Sequence, residues 1–330
     1  MLGPLLHRVL SDAFLRPHNT TADLYFANVM AGHQALRRLA PTVWESDKAV
    51  AVLRHDLGAR VDARMLDGRD LVYLIDDDIT AAVRDPSLSP GFRAKLALVE
   101  GLAWRRLRRL SPSLAVSGPF LRDRLGAAHG SMACQIITPH WTERPSTLAQ
   151  FDDDRPLRIG YLGSRAHRGD LALVTEILKP VIAARPDVEI CLAANHRLPD
   201  WLASYAGLRP ITATAWPDYR RGLPDLGCHL LIYPLMDTPM NRARSINKLI
   251  EHGIAGGAGL YPAAWPSAAE ITHDEDGLLL PPDPESWSAA VLDLLETPER
   301  MRALARAGQD LACRLNEDNQ SVFWSERMLG

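Results

Sequence analysis

Lys248 and Glu251 stand three residues apart in the stretch NRARSINKLIEHG, Asn241 to Gly253. On a helix that spacing puts both side chains on one face. A lysine near a first turn suits a phosphate, and a carboxylate one turn later can accept hydrogen bonds from a ribose diol. Taken alone, the pair reads more often as a surface ion pair. A second stretch, GYLGSRAHRGD from Gly160 to Asp170, has a strand running into a glycine turn, then basic residues, then a helix start. Backbone N–H groups around Gly163 and Ser164, with Arg165 or Arg168 beside them, make an anion site; the bland reading is a plain tight turn. His167 sits in the same loop. The stretch is not GxGxxG, and no acid follows about 20 residues later at a strand end, so the dinucleotide fingerprint is missing.

Asp76, Asp77 and Asp78 end the apolar run Leu71–Ile75. Three readings stay open for them: a role in holding an acceptor hydroxyl, a divalent-metal DxD site, or a capped strand end with solvated acids. Four cysteines (Cys134, Cys191, Cys228, Cys313) lie far apart with no CxxC pair, which fits reduced thiols better than a disulfide framework or a zinc site. His140, His196, His229 and His252 lack metal-ligand spacing and read as structural. Arg105, Arg106, Arg108 and Arg109 flank Trp104, with Arg93 and Lys95 upstream. Such a run is usually a solvated face; the functional reading is peripheral contact with an anionic bilayer.

These residues need a scaffold. In the first half, Asp70–Ile79 (DLVYLIDDDI) is the clearest strand, a continuous apolar run of the kind a doubly covered parallel strand shows. Met1–Leu10 reads as an amphipathic helix and not a signal peptide. Asp23–Met30 is expected as a strand leaving a turn at Ala31–Gly32, and Ser46–Val61 carries mixed helical spacing. Phe92–Leu110 reads as a helix with Leu96, Val99, Leu102, Ala103, Leu107 and Leu110 inward. Short strands are expected at Leu114–Ser117 and Gln135–Ile137, with a short helix at Pro119–Leu125 between them. Pro139–Asp154 lacks apolar periodicity and reads as a linker. The expected domains are 1–150 and 151–330.

The second half alternates cleanly. Strands are expected at Leu157–Leu162, Val188–Ala193, Leu230–Tyr233, Gly259–Tyr261 and Gly277–Leu280. Helices are expected at Asp170–Arg185, Leu198–Tyr205, from about Arg244 to Gly253, and twice more toward the end of the chain. Asp283 should cap the helix that Pro284 opens. That alternation means right-handed βαβ units and a parallel sheet, whose ligands bind at the carboxyl ends of strands. The composition agrees: 330 residues, 47% hydrophobic, 23% charged, 6% aromatic, net charge −3. Disorder and collagen-like classes are excluded, and nothing global steers the chain to nucleic acid. No run of about 18 apolar residues suggests a membrane span.

In this order and at these separations, the stretches RIGYLGSRAHRGD, NRARSINKLIEHGIAGG and HDEDGLLLPPDPESW, the last followed by LDLLETPERMRALARAG, carry a resemblance. Residues 157–310 resemble the nucleotide-binding domain of GT-B glycosyltransferases of the family 1/family 4, group 1 type. The resemblance implies an α/β fold of two Rossmann-like domains with parallel sheets facing a cleft, the last helix packing back on the first domain. It implies sugar transfer from a nucleoside-diphosphate sugar, with retention, to a glycan, lipid-linked or other acceptor. Glu251 would match the ribose-binding glutamate that closes an E-x7-E motif. Lys248 and Arg165 or Arg168 would lie on the diphosphate, with Gly163, Ser164, His167 and Ser245 around the donor.

No cofactor and no metal are expected, since fixed cations and backbone amides can stabilise the leaving diphosphate. Ala243 stands where the motif's first glutamate belongs, so Asp237 or Asn241 would supply that role. Asp76, Asp77 and Asp78 fall on the acceptor side, as does His33 in Ala31-Gly32-His33, the only candidate for the family's glycine-rich loop. Reduced thiols fit a cytoplasmic location, and a lipid-linked acceptor would add peripheral contact at the inner membrane face. Two alternatives stay open: a catalytically weak sugar-nucleotide-binding partner or paralogue, and a nucleotide-sugar epimerase of the same fold.

Overall fold

A computed structural model of the chain describes residues 19–129, 134–163, 169–193, 198–212, 215–317 and 320–330. The expected first helix lies outside them. The chain divides into two compact units. Unit one comprises Met1–Thr142, Arg242–Ile246 and Asn316–Gly330; unit two comprises Glu143–Asn241 and Asn247–Leu315. Each carries a six-stranded sheet among its described residues.

The first unit's sheet runs β1 (Arg37–Ala40), β2 (Val43–Glu45), β3 (Ala49–Leu53), β4 (Asp70–Ile75), β5 (Ser113–Val116) and β6 (Cys134–Ile136), in that spatial order. β1–β2 and β2–β3 pair antiparallel, and the remaining pairs are parallel. β3 and β4 are buried on both faces except at Asp70, as continuous apolar runs require. Val50, Val52, Leu71, Tyr73, Ile75, Leu114, Val116, Trp104 and Leu107 form its core with Ala243.

Three expectations change here. Residues 20–30 are helical, not a strand. Asn19 caps this helix by accepting from Ala22 N–H, and its middle section, Asp23–Ala27, closes with the wider i→i+5 turn. Ser46–Val61 contains β3 in place of helical spacing; Ala49–Leu53 is an entirely buried five-residue apolar run, too short for periodicity to separate a strand from a buried helix segment. The expected helix at 92–110 runs from Pro90 to Leu110 in four consecutive helical pieces. Its Ala97–Gly101 piece is again wide, Leu102 N–H bonding to Ala97 C=O. That inserted residue turns the following side chains about the axis. Leu96, Val99, Ala103 and Leu107 are buried, but Leu102, expected inward, is 52% exposed.

The second unit's sheet is all parallel and ordered β12-β11-β10-β7-β8-β9. The strands are β7 (Arg158–Tyr161), β8 (Glu189–Ala193), β9 (Leu208–Ile211), β10 (Leu230–Ile232), β11 (Ala258–Pro262) and β12 (Leu278–Leu280). The chain winds outward from β7 through β8 to β9. It then returns to β10 on the other side of β7 and winds outward again. The strand order therefore reverses between β7 and β10, where an open α/β sheet leaves a crevice at its carboxyl edge.

Gly160 lets this centre close: a Cβ there would lie 2.7 Å from Cys228 Sγ and from Leu231 Cδ2. Asp283 accepts from Ser286 N–H at 2.7 Å and caps helix Pro284–Glu296. The helix expected from about Arg244 starts at Asn247 and runs to Ala255, and that expected at Leu198–Tyr205 is confined to Asp200–Ala203. No helix among the described residues is long and apolar enough to cross a membrane.

Candidate functional site

In the second unit, the carboxyl end of β7 continues into Leu162 and Gly163. A Cβ at Gly163 would fall 2.4 Å from the Tyr161 ring, so only glycine allows this exit from the strand. Lys248, in the first turn of helix Asn247–Ala255, donates from Nζ to Leu162 C=O at 2.6 Å. The same ammonium pairs with Glu251 one turn on, with side chains 12% and 6% exposed. Tyr219, from helix Trp216–Gly222, donates its hydroxyl to Glu251 Oε1 at 2.6 Å. Burial and then the Glu251 charge raise the Tyr219 hydroxyl well above its ordinary value, so it remains a donor. Trp216 stacks on Tyr219 with centroids 5.9 Å apart. The expected Lys248–Glu251 pairing thus sits buried at the strand-order reversal, with Tyr219 as a third member. Tyr219 carried no sequence signal, because nothing local links it to a residue 32 positions later.

The loop after β10 is braced from the same edge. Asp170, which opens helix Asp170–Ala184, accepts from Met236 N–H at 2.8 Å and Asn241 Nδ2 at 3.0 Å. Asn241 also donates to Met236 C=O at 2.9 Å. Its amide is buried and spans the loop, while Asp237 at the loop tip is exposed. His252 is buried against Tyr261 and Tyr233, and burial and the nearby Lys248 hold its imidazole well below the usual value. It is neutral core, as its lone occurrence implied. Ser164, Arg165, His167 and Arg168 lie outside the described residues. Ser245 belongs to the first unit, and so does Ala243, whose side chain packs in that unit's apolar cluster. A glutamate carboxylate at 243 would be costly to bury there without a partner.

In the first unit, the carboxyl ends of β3, β4 and β5 present Arg54, Asp76–Asp77 and Ser117. Arg54 has a left-handed backbone (φ 72°). Its guanidinium lies 3.2 Å from Asp76, 3.1 Å from Asp77 and 2.8 Å from Glu100. Thr21 Oγ1 donates to Asp76 at 2.6 Å, and Ser117 Oγ to the Asp76 carbonyl at 2.9 Å. Arg244 reaches Asp77 at 3.1 Å. Asp78 points elsewhere, capping helix Ile79–Arg84 through Ala81 N–H at 2.8 Å and pairing with Arg124. The three aspartates are thus shared out among arginines and a helix cap. Among the described residues, no group of three His, Cys, Asp or Glu side chains is placed to hold a metal ion. His33 is exposed, its Nδ1 accepting from Ala35 N–H at 3.3 Å. Arg54, Glu100, Thr21 and Arg244 were invisible in the sequence because they converge from four separate segments.

Burial pushes the Asp76 carboxyl up to about 6, against the pull of Arg54 and with help from Asp77. An unfolded aspartate titrates near 3.9, so the folded state holds this proton more tightly. The resulting contribution to stability is complete below about pH 4 and is lost as pH rises through about 6. Asp76→Asn, neutral throughout, should therefore gain stability relative to wild type from pH 4 to pH 7. The gain should reach about 3 kcal/mol at most and level off above pH 7. Urea unfolding at pH 4, 5, 6 and 7 measures it; a difference that does not vary with pH refutes it.

No protein-family model and no curated protein matches the chain. Solved structures do. The Anabaena protein Alr3699/HepE, solved with UDP and glucose, aligns with TM-score 0.54 at 14% identity, over 80% of this chain and 73% of that one. Sucrose-phosphate synthase from Thermosynechococcus elongatus aligns with TM-score 0.52 at 15% identity, over 79% and 66%. The pneumococcal O-GlcNAc transferase GtfA, solved with UDP and GlcNAc, aligns with TM-score 0.57 at 9% identity, over 81% and 53%. The chain has the GT-B glycosyltransferase fold. It spans about two thirds of the synthase's length and about half of GtfA's.

Proposed function

We propose that the chain transfers a sugar from a nucleoside-diphosphate sugar to a hydroxyl-bearing acceptor, with the donor carried by the second unit. One observation carries the reading: a buried lysine–glutamate pair, steadied by a tyrosine, at the carboxyl edge where the strand order reverses. The similar folds of HepE, solved with UDP and glucose, and GtfA, solved with UDP and GlcNAc, support it.

In this reading Lys248 turns its charge to the diphosphate, where negative charge builds as the glycosidic bond breaks. Arg168 or Arg165 supplies a second cation from the loop after Gly163, together with Ser164 and His167. Glu251, oriented by Tyr219, accepts hydrogen bonds from the ribose hydroxyls. Asp237 faces the sugar, and Asn241 holds the loop that carries it. Asp76, Asp77 and His33 serve a glycan or lipid-linked acceptor, with Asp78 keeping the adjacent helix start in place. The proposed outcome is retention, without a metal. Ala243 favours one second reading, a sugar-nucleotide-binding protein with weak turnover.

The test is a thermal-shift panel with UDP, GDP, ADP and TDP, with and without Mg²⁺, followed by assay of the matching sugar nucleotides for release of diphosphate. A ligand at 100 times its Kd stabilises by about 2.7 kcal/mol, a shift of several degrees. A metal-independent shift with one diphosphate, plus turnover, is the expected result. A shift without turnover supports the weak-turnover reading, and no shift with any diphosphate sinks both.

A further inference from the structure

Large apolar side chains exposed by a third or more are few among the described residues: Leu98 and Leu102 at 52% each, Met236 at 36% and Val322 at 65%. The first two lie four residues apart on the helical stretch 90–110. Arg105 and Arg109 continue the same stripe at the next helical spacings, and Arg108 flanks it. All three arginines are exposed. None of them takes part in an ion pair among the described residues, whereas their neighbour Arg106 pairs with Asp56. Trp104, the aromatic expected on this basic face, is buried at 7% and packs beside Tyr73. The stretch is therefore apolar on its inner side through Leu96, Val99, Ala103, Trp104 and Leu107. Its outer side combines two leucines with three unpaired cations.

We infer that this outer face docks on an anionic lipid bilayer. Leu98 and Leu102 enter the boundary between headgroups and acyl chains, and Arg105, Arg108 and Arg109 lie among the lipid phosphates. Charge complementarity alone would also suit a nucleic acid or an acidic peptide. Those partners would leave the two leucines in water, and a bilayer surface takes both kinds of group at once. Each arginine close to an anionic surface strengthens binding about fivefold. Each leucine is about half exposed, so withdrawing it from water strengthens binding about three- to tenfold. The inference does not rest on the donor reading, because vesicle binding needs no turnover.

Co-sedimentation of the full chain with vesicles tests it, using phosphatidylcholine alone and phosphatidylcholine mixed with phosphatidylglycerol. The expected result is binding to the mixed vesicles only, weakening as salt rises. The triple variant Arg105→Glu, Arg108→Glu, Arg109→Glu should lose binding by more than about a hundredfold. Leu98→Gln with Leu102→Gln should bind about ten- to a hundredfold more weakly. Both variants change exposed positions, so each should melt like wild type, which is checked alongside. Failure of the chain to sediment with mixed vesicles overturns the inference, as does wild-type binding by either variant. Binding of a single-stranded oligonucleotide that survives the leucine substitutions, without vesicle binding, overturns it in favour of a polyanion site.

Discussion

Arg54→Ala should lower the stability of the first unit by about 3–5 kcal/mol, the cost of removing one partner from a largely buried ion cluster. Three carboxylates depend on this guanidinium: Asp76, Asp77 and Glu100, with side chains 15%, 14% and 9% exposed. Burial opposes the Arg54 charge, and the attraction of Asp76, Glu100 and Asp77 overcomes it, holding the guanidinium well above its ordinary value. Without it, the three acids face each other while Arg244 still offsets the charge of Asp77. For a unit of this size the loss corresponds to a fall in Tm of roughly 10 °C.

The backbone supplies an internal control. Arg54 sits at φ 72°, where a Cβ costs roughly 1 kcal/mol or more that glycine avoids. Arg54→Gly loses the same charge yet sheds that strain, so it should be about 1 kcal/mol more stable than Arg54→Ala. Calorimetry on both variants decides. An Arg54→Ala protein that melts with wild type removes the cluster as a stabilising element, and equal melting of the two variants removes the strain.

Glu251→Gln should weaken nucleoside-diphosphate binding by about 1–3 kcal/mol, roughly ten- to over a hundredfold, the usual loss for a hydrogen bond to a buried charged acceptor. The amide keeps the shape and still accepts from Tyr219, so the second unit should fold. What disappears is the negative charge that fixes Lys248. The companion variant Lys248→Ala should act differently. If the ammonium faces charge that develops only as the diphosphate leaves, its loss lowers kcat and leaves KM nearly unchanged. Titration calorimetry with the diphosphate from the thermal-shift panel reads the first effect, and steady-state kinetics reads the second. Wild-type binding by Glu251→Gln and wild-type kcat in Lys248→Ala, each with an intact melt, would remove the pair from the donor site.

The second unit was readable from the chain because its signals are local. Most parallel strands there are short apolar runs with helices at βαβ spacing, and Asp283 with Pro284 writes a helix start into four residues; the exception is the edge strand β9, whose LRPI is largely exposed and gave no strand signal. Lys248 and Glu251 could be paired in advance because a helical turn relates them. The first unit resisted for two physical reasons. The buried apolar run of β3 is too short for periodicity to tell a strand from a buried helix segment, and wide i→i+5 turns at 23–27 and 97–101 shifted the helical phase that periodicity assumes. That shift is why Leu102 faces water when its spacing points inward. The Arg54 cluster and the Tyr219 contact had no local signature at all. They exist only where strand ends from distant segments meet, so charge neutralisation across the sheet edge, and with it the partners of Asp76, Asp77 and Glu251, was decided by the packing of the folded chain.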